Sequence, residues 1–220
     1  MTIYPSILTG SLQEAQEQLD LAKSLDGVET VQLDILDGLF ADNVTLTPSD
    51  FAQLDFGELH CDLHLMTEEP MDFVFEAIEH KKRLPIRSII GQVERMSYQL
   101  DFMETVMKHT WKAGLSLNIF TPIEAVDESS WYDLNVVQLL AIEAGFQGQE
   151  FRPVVLEKVE NVLRLRQEIR SDFEIIIDGG IGVSELEKLL KFEVEGVAVG
   201  SELWQAGDLQ LAYTQLTEVG

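Results

Sequence analysis

Short β-rich runs alternate with longer amphipathic ones along the whole chain, eight times over. The β-rich runs are TIYPSIL (2–8), TVQLDIL (30–36), LHCDLHL (59–65), IRSIIGQV (86–93), GLSLNIF (114–120), LNVVQLLAI (134–142), FEIIIDG (173–179) and EGVAVG (195–200). Several are almost continuously apolar, which marks strands covered on both faces of a parallel sheet. Helical spacing runs through LQEAQEQLDLAKSL (12–25), PMDFVFEAIEHKKR (70–83) and YQLDFMETVMKHTWKA (98–113). It returns in VVLEKVENVLRLRQEI (154–169), VSELEKLLKF (183–192) and DLQLAYTQL (208–216), while PIEAVDESSWYD (122–133) supplies a short helix at most. Eight strand–helix alternations in 220 residues predict an α/β fold, a closed (β/α)8 TIM barrel formed by residues 1–220 as one domain. A doubly wound open sheet is the fallback.

In such a barrel, chemistry gathers at the C-terminal ends of the strands. The polar exceptions to the apolar runs fall there: Ser6, Asp34, His64, Asn118 and Asp178. Buried carboxylates need compensation, so Asp34 and Asp178 are the candidates for working groups, whereas Asp37 is read as closing the turn after strand two. Three late segments, GFQGQ (145–149), DGGIG (178–182) and VGSELW (199–204), each follow a strand. Glycine lets backbone N–H groups approach an anion, and the last loops of these barrels recurrently hold phosphate. His60, His80 and His109 belong to no such layer, and Trp111, Trp131 and Trp204 are expected to pack.

Charge narrows the partners. With 39 acidic and 15 basic residues, the formal charge is −24, which argues against nucleic acid, since that partner needs clustered Lys and Arg. The one basic cluster, Lys81, Lys82, Arg83 and Arg87, is read as a solvated helix end. A phosphorylated metabolite is still compatible if backbone amides hold it. No apolar run is long enough to span a membrane, and the first residues lack a basic-then-apolar secretory pattern. The single cysteine, Cys61, is read as a core residue and fits a cytoplasmic protein.

These residues together resemble the ribulose-phosphate 3-epimerase family. The family's opening Pro-Ser-Ile-Leu stands at residues 5–8, and its His-x-Asp-x-Met-Asp-Gly element is matched by QLDILDGLFADN (32–43). DLHLM (62–66), LNIFTP (117–122), AGFQGQ (144–149, with Ala144 in place of proline), Asp178-Gly179-Gly180 and Gly200-Ser201 complete seven ordered matches. The resemblance implies an isomerase, an epimerase inverting carbon 3 of a phosphorylated ketose, ribulose 5-phosphate or xylulose 5-phosphate. Asp34 and Asp178 would be its two acid/base groups. It implies substrate contacts from Ser6, Met66, Asn118, Gly145, Gly148, Gly179, Gly180, Gly200 and Ser201, and assembly as a homo-oligomer. It also implies a divalent metal ion (Zn, Mn, Fe or Mg) on Asp34, His64, Asp178 and residue 32.

The chain departs from the family at that last position, where Gln32 replaces histidine. An amide oxygen is a weaker donor than imidazole for zinc or iron, though acceptable to magnesium or manganese. Gln92 stands where strand four often carries a histidine, and Leu36 and Leu140 stand at methionine positions beside the retained Met66. Two other functions stay open: a non-catalytic phosphosugar-binding protein, and an epimerase for a ketohexose 6-phosphate such as allulose 6-phosphate, suggested by NVTLTP (43–48). Barrels of the related decarboxylase and aldolase branches carry an Asp-x-Lys-x-x-Asp element, and Leu36 where the lysine belongs counts against them.

Overall fold

The computed structural model describes residues 1–220. It begins with β1 (Thr2–Ile7), α1 (Leu12–Lys23), β2 (Thr30–Leu36), the short α2 (Pro48–Phe51), β3 (His60–Met66), α3 (Pro70–Glu79) and β4 (Ile86–Gln92). Then come α4 (Gln99–Met107), β5 (Lys112–Leu117), β6 (Val136–Leu140), α5 (Val155–Ile169) and β7 (Glu174–Asp178). The chain finishes with α6 (Val183–Leu189), β8 (Gly196–Val199), α7 (Ser201–Trp204) and α8 (Leu209–Val219). Every neighbouring pair of strands is parallel, and β1 closes against β8 in the register Thr2↔Gly196 to Pro5↔Val199. The fold is a (β/α)8 barrel, and the open-sheet alternative is excluded.

Alternation along each strand sorts side chains to two cores. On β2, Val31, Leu33 and Ile35 face outward into one core of 51 buried residues shared with the helices. Gln32 and Asp34, at the intervening positions, turn inward. The helices meet this core through spaced apolar faces, as with Val155, Val159 and Val162 of α5. Between β5 and β6 the chain makes only two 3-10 turns, Ile123–Ala125 and Ser130–Tyr132. The helical pattern over 98–113 stops early, at Met107, because Thr110 adopts φ 67° and Lys112 already starts β5.

Inside the barrel the side chains form layers. The middle one is apolar: Tyr4, Ile90, Val136 and Ile176. Below it, at the N-terminal end, lies an ionic floor. Arg87 donates through Nε to Asp62 Oδ1 at 2.9 Å and through Nη1 to Glu174 Oε2 at 2.9 Å, and its guanidinium stacks 4.8 Å from the Tyr4 ring centre. Lys112 pairs with the other Glu174 oxygen. This corrects the expectation for Arg87: only Lys81, Lys82 and Arg83 are exposed beyond α3. The cause is a register shift, Cys61↔Ile86 followed by Asp62↔Ser88, which leaves Arg87 unpaired on β4. Such a bulge re-aims one side chain. Cys61 is fully buried, as expected.

Candidate active site

Above the apolar layer, the strand ends bring together Ser6, Gln32, Asp34, His64, Gln92, Ser116, Gln138 and Asp178, all buried. Asp34 sits directly beside His64 in the β2–β3 register, and Leu140 beside Asp178 across β6 and β7. Ser6 Oγ donates to Asp34 Oδ2 at 2.5 Å. Gln32 Nε2 donates to Asp34 Oδ1 and to Asp178 Oδ2, both at 2.8 Å. Gln138 Nε2 donates to the same Asp178 oxygen at 2.7 Å. His64 Nδ1 lies 3.0 Å from Asp34 Oδ1 and 3.3 Å from Asp178 Oδ2. Two carboxylates from different strands thus converge on one set of donors.

The orientation of the His64 ring is set from behind. The Gln92 amide satisfies its neighbours in one orientation, with its oxygen accepting from His64 Nε2 at 3.1 Å and from Ser116 Oγ at 3.0 Å. Its nitrogen then donates to Ser116 O at 3.1 Å and Glu94 Oε2 at 2.8 Å. Nε2 therefore carries a hydrogen, and Nδ1 faces the carboxylates. Glu94 Oε1 in turn accepts from the Asn118 N–H at 2.7 Å. Asn118 accordingly braces the loop after β5. Its side-chain oxygen is taken by the Ile119 N–H at 2.8 Å, and it does not line the cleft, contrary to its expected place among substrate contacts.

Burial alone would lower the His64 pKa, but hydrogen bonds to Asp178 and Asp34, with their charges, raise it from 6.5 to about 9. Burial also raises the Asp178 carboxyl above its ordinary value; the His64 hydrogen bond opposes this and the Asp34 charge reinforces it. The sign for stability follows from linkage. A histidine whose folded pKa is raised contributes fully below pH 6.5, and the contribution disappears as pH rises through about 9. The stability advantage of wild type over His64→Asn is expected to shrink across that window in urea titrations. Parallel curves for the two proteins would contradict the pairing.

The carboxylates form the floor of a narrow cleft at the strand ends. Its lining includes Ser6, Asp34, Met66, Gly145, Gly148, Asp178, Gly179, Gly180, Gly200 and Ser201, so all the expected substrate contacts except Asn118 meet there. Leu140 and Ile142 add apolar wall. No cationic side chain lines it. The backbone N–H groups of Gly179, Gly180 and Gly200 donate to nothing in the protein, which leaves them for an anion. Glycine is required here: Gly179 and Gly180 have φ of 101° and 67°, and a Cβ on Gly180 would stand 2.5 Å from the Phe151 backbone nitrogen. Gly180→Ala is expected to weaken binding of a sugar phosphate at least about tenfold by calorimetry, a left-handed conformation alone costing about 1–2 kcal/mol. Unchanged affinity would remove this loop from the anion site.

Residues outside the sequence expectation also shape the site. Gln138, the polar interruption in the apolar run of β6, belongs to no motif that marks it in the sequence. Trp204, expected only to pack, donates through Nε1 to the Ser6 carbonyl at 2.6 Å and so anchors β1 beneath the cleft. Asp37 is held in its turn, accepting from the N–H groups of Leu39, Phe40 and Glu68 at 2.8, 3.0 and 2.7 Å.

By type and spacing, Asp34, His64 and Asp178 could hold a divalent ion, since their ligand atoms lie within 4.8 Å of one another. Gln32, the expected fourth ligand, does not complete the set. It turns an NH2 group, which has no lone pair to give a cation, toward both carboxylates. Gln138 turns its NH2 toward Asp178 alone of the two carboxylates, with its own oxygen buried and unpartnered on the other side. As arranged, the amides fit two carboxylates and not a cation.

Comparison with known proteins agrees with this architecture. A family model described as the ribulose-phosphate 3 epimerase family matches residues 2–204. The ribulose-phosphate 3-epimerase of Bacillus subtilis (strain 168) is 27% identical over 217 residues, 97% of each chain. That of Escherichia coli (strain K12) is 29% identical over 210 residues, 94% of this chain and 90% of its own. Among solved structures, phosphoribosyl anthranilate isomerase from Thermus thermophilus superposes with a TM-score of 0.63 at 14% identity, both chains being covered in full. A 3-hexulose-6-phosphate synthase gives 0.66 at 13%, over 100% of this chain and 99% of its own, and such distant likeness speaks to the fold alone. The likeness that decides is the sequence match along nearly the whole barrel, and by it the chain belongs to the ribulose-phosphate 3-epimerase family.

Proposed function

We propose that the protein inverts carbon 3 of a phosphorylated ketose, interconverting ribulose 5-phosphate and xylulose 5-phosphate, with Asp34 and Asp178 as the acid/base pair. The observation that carries this reading is that both carboxylates reach the floor of one cleft whose wall offers unpaired backbone N–H groups. The amides of Gly179, Gly180 and Gly200 receive the phosphate, and the chain of the sugar lies over the two aspartates.

One carboxylate removes the proton from C3. The C–H electron pair becomes the C2–C3 double bond, and the carbonyl pair moves onto O2 to give an enediolate. The other aspartate, in its carboxylic acid form, protonates C3 from the opposite face as the O2 pair returns to the carbonyl. One group must be ionised and one protonated at the start, and the raised pKa of Asp178 supports it as a proton carrier. Met66 and Leu140 keep an apolar wall beside the intermediate, which favours its reprotonation by the protein rather than by water.

The stretch 43–48 gives no support for a longer sugar. Asn43 Nδ2 donates to Gly145 O at 2.8 Å, and Thr45 Oγ1 donates to Asp34 O at 2.7 Å, so these side chains brace the walls and line no part of the cleft. Incubation with ribulose 5-phosphate, with the ketopentose phosphates separated by chromatography, tests the proposal. Conversion to xylulose 5-phosphate is expected. Conversion of only a ketohexose 6-phosphate would move the substrate, and tight binding without any conversion would favour a binding protein.

A further inference from the structure

The centre between the two aspartates is filled by amide hydrogens. One NH2 group, that of Gln32, directs both its hydrogens to carboxylates, 2.8 Å to Asp34 Oδ1 and 2.8 Å to Asp178 Oδ2. Gln138 Nε2 reaches the same Asp178 oxygen at 2.7 Å and lies 3.1 Å from His64 Nδ1. Bonds from N–H groups to an ionised acceptor are among the stronger hydrogen bonds, and all four side chains are buried, where an unpaired carboxylate is costly. Together with His64 Nδ1, 3.0 Å from Asp34 Oδ1 and 3.3 Å from Asp178 Oδ2, these donors do what a bridging cation does: they hold the two carboxyl groups close together. The two arrangements exclude each other, because N–H hydrogens aimed at the centre repel a cation placed there.

With no cation at the centre, the opposite orientation of either amide is unfavourable. Turned over, Gln32 would set its oxygen against two carboxylate oxygens. Gln138 turned over would carry its NH2 to the place now held by its Oε1, a buried atom with no hydrogen-bond partner. We propose that this centre is built to stand without a divalent cation, the amides of Gln32 and Gln138 holding Asp34 and Asp178 where other arrangements would use a metal. In the reaction the same N–H groups, with Ser6 Oγ, donate to the carboxylates as charge moves from them to the substrate. Gln32 and Gln138 are thus positioning residues for the aspartates. The inference rests on the reading of Asp34 and Asp178 as the working pair, but the metal measurement that decides it does not.

The test compares chelator-treated wild type with Gln32→His carrying Gln138→Leu. Each protein is titrated with ZnCl2 and MnCl2 by calorimetry, and bound metal is measured by elemental analysis before and after dialysis. Wild type is expected to hold far less than one equivalent of either metal, and the variant to take up one. One equivalent retained by wild type would overturn the inference. Hydrogen exchange at C3 of ribulose 5-phosphate is followed alongside. Exchange by wild type that is indifferent to chelator supports the inference, while exchange lost on chelation and restored by zinc or manganese overturns it. Absence of exchange under every condition would count against the epimerase reading, and the metal content would still decide whether the amides have replaced a cation.

Discussion

Asp178→Asn and Asp34→Asn are each expected to slow interconversion of the two ketopentose phosphates by about 10²–10⁴-fold, the range for removing a positioned acid or base. The fold should survive both changes. At position 178 an asparagine oxygen can accept from Gln32 and Gln138 as the carboxylate does. At position 34 an asparagine oxygen can face Gln32 and His64, leaving its NH2 toward Ser6 Oγ, a hydroxyl able to accept. Affinity for a sugar phosphate should change little, because the amides of Gly179, Gly180 and Gly200 are untouched. A finer signature follows from the two-face geometry. Each variant keeps one aspartate and so should exchange the C3 hydrogen of only one epimer with solvent, the opposite epimer in the two variants. Conversion within a few-fold of wild type in both would end the two-aspartate account.

The largest stability effect is expected far from the cleft. Arg87→Met leaves Asp62 buried without its partner and Glu174 short of one, and stranding a buried charge costs about 3–5 kcal/mol. For a chain of this size that is a fall in melting temperature of roughly 6–20 °C. Adding Asp62→Asn to Arg87→Met should recover part of the loss, since the stranded charge is then gone. A melting temperature within about 2 °C of wild type for the single variant would show that the floor of the barrel is solvated and that the ion pairs there contribute little. The N-terminal end of such barrels is concerned with stability, so activity per folded molecule should persist.

The barrel was legible because its strands are nearly continuous apolar runs, and that pattern survives without knowledge of register. Asp34, His64 and Asp178 were legible for the same reason: each is a polar residue at the end of such a run, and closure of the barrel brings strand ends together. Gln138 carried a similar signal in VVQLL, a glutamine inside an apolar strand, but no motif drew attention to it. Arg87 was misread because a bulge, which no local pattern announces, turns it from the helix end into the barrel. Asn118 was misread because β5 stops at Leu117, so its side chain serves the turn rather than the cleft. Sequence placed Gln32 at the centre, while the direction of its amide is a property of the neighbours it meets there. Residue type was readable, and orientation was not.

In the proposed reaction, two carboxylates at the floor of one cleft move the C3 hydrogen of a ketose phosphate. Proton NMR of ribulose 5-phosphate in deuterated water with the purified wild type tests it most directly. Loss of the C3 proton signal is expected, accompanied by xylulose 5-phosphate deuterated at the same carbon. A C3 signal that persists while the sugar phosphate is demonstrably bound would contradict it.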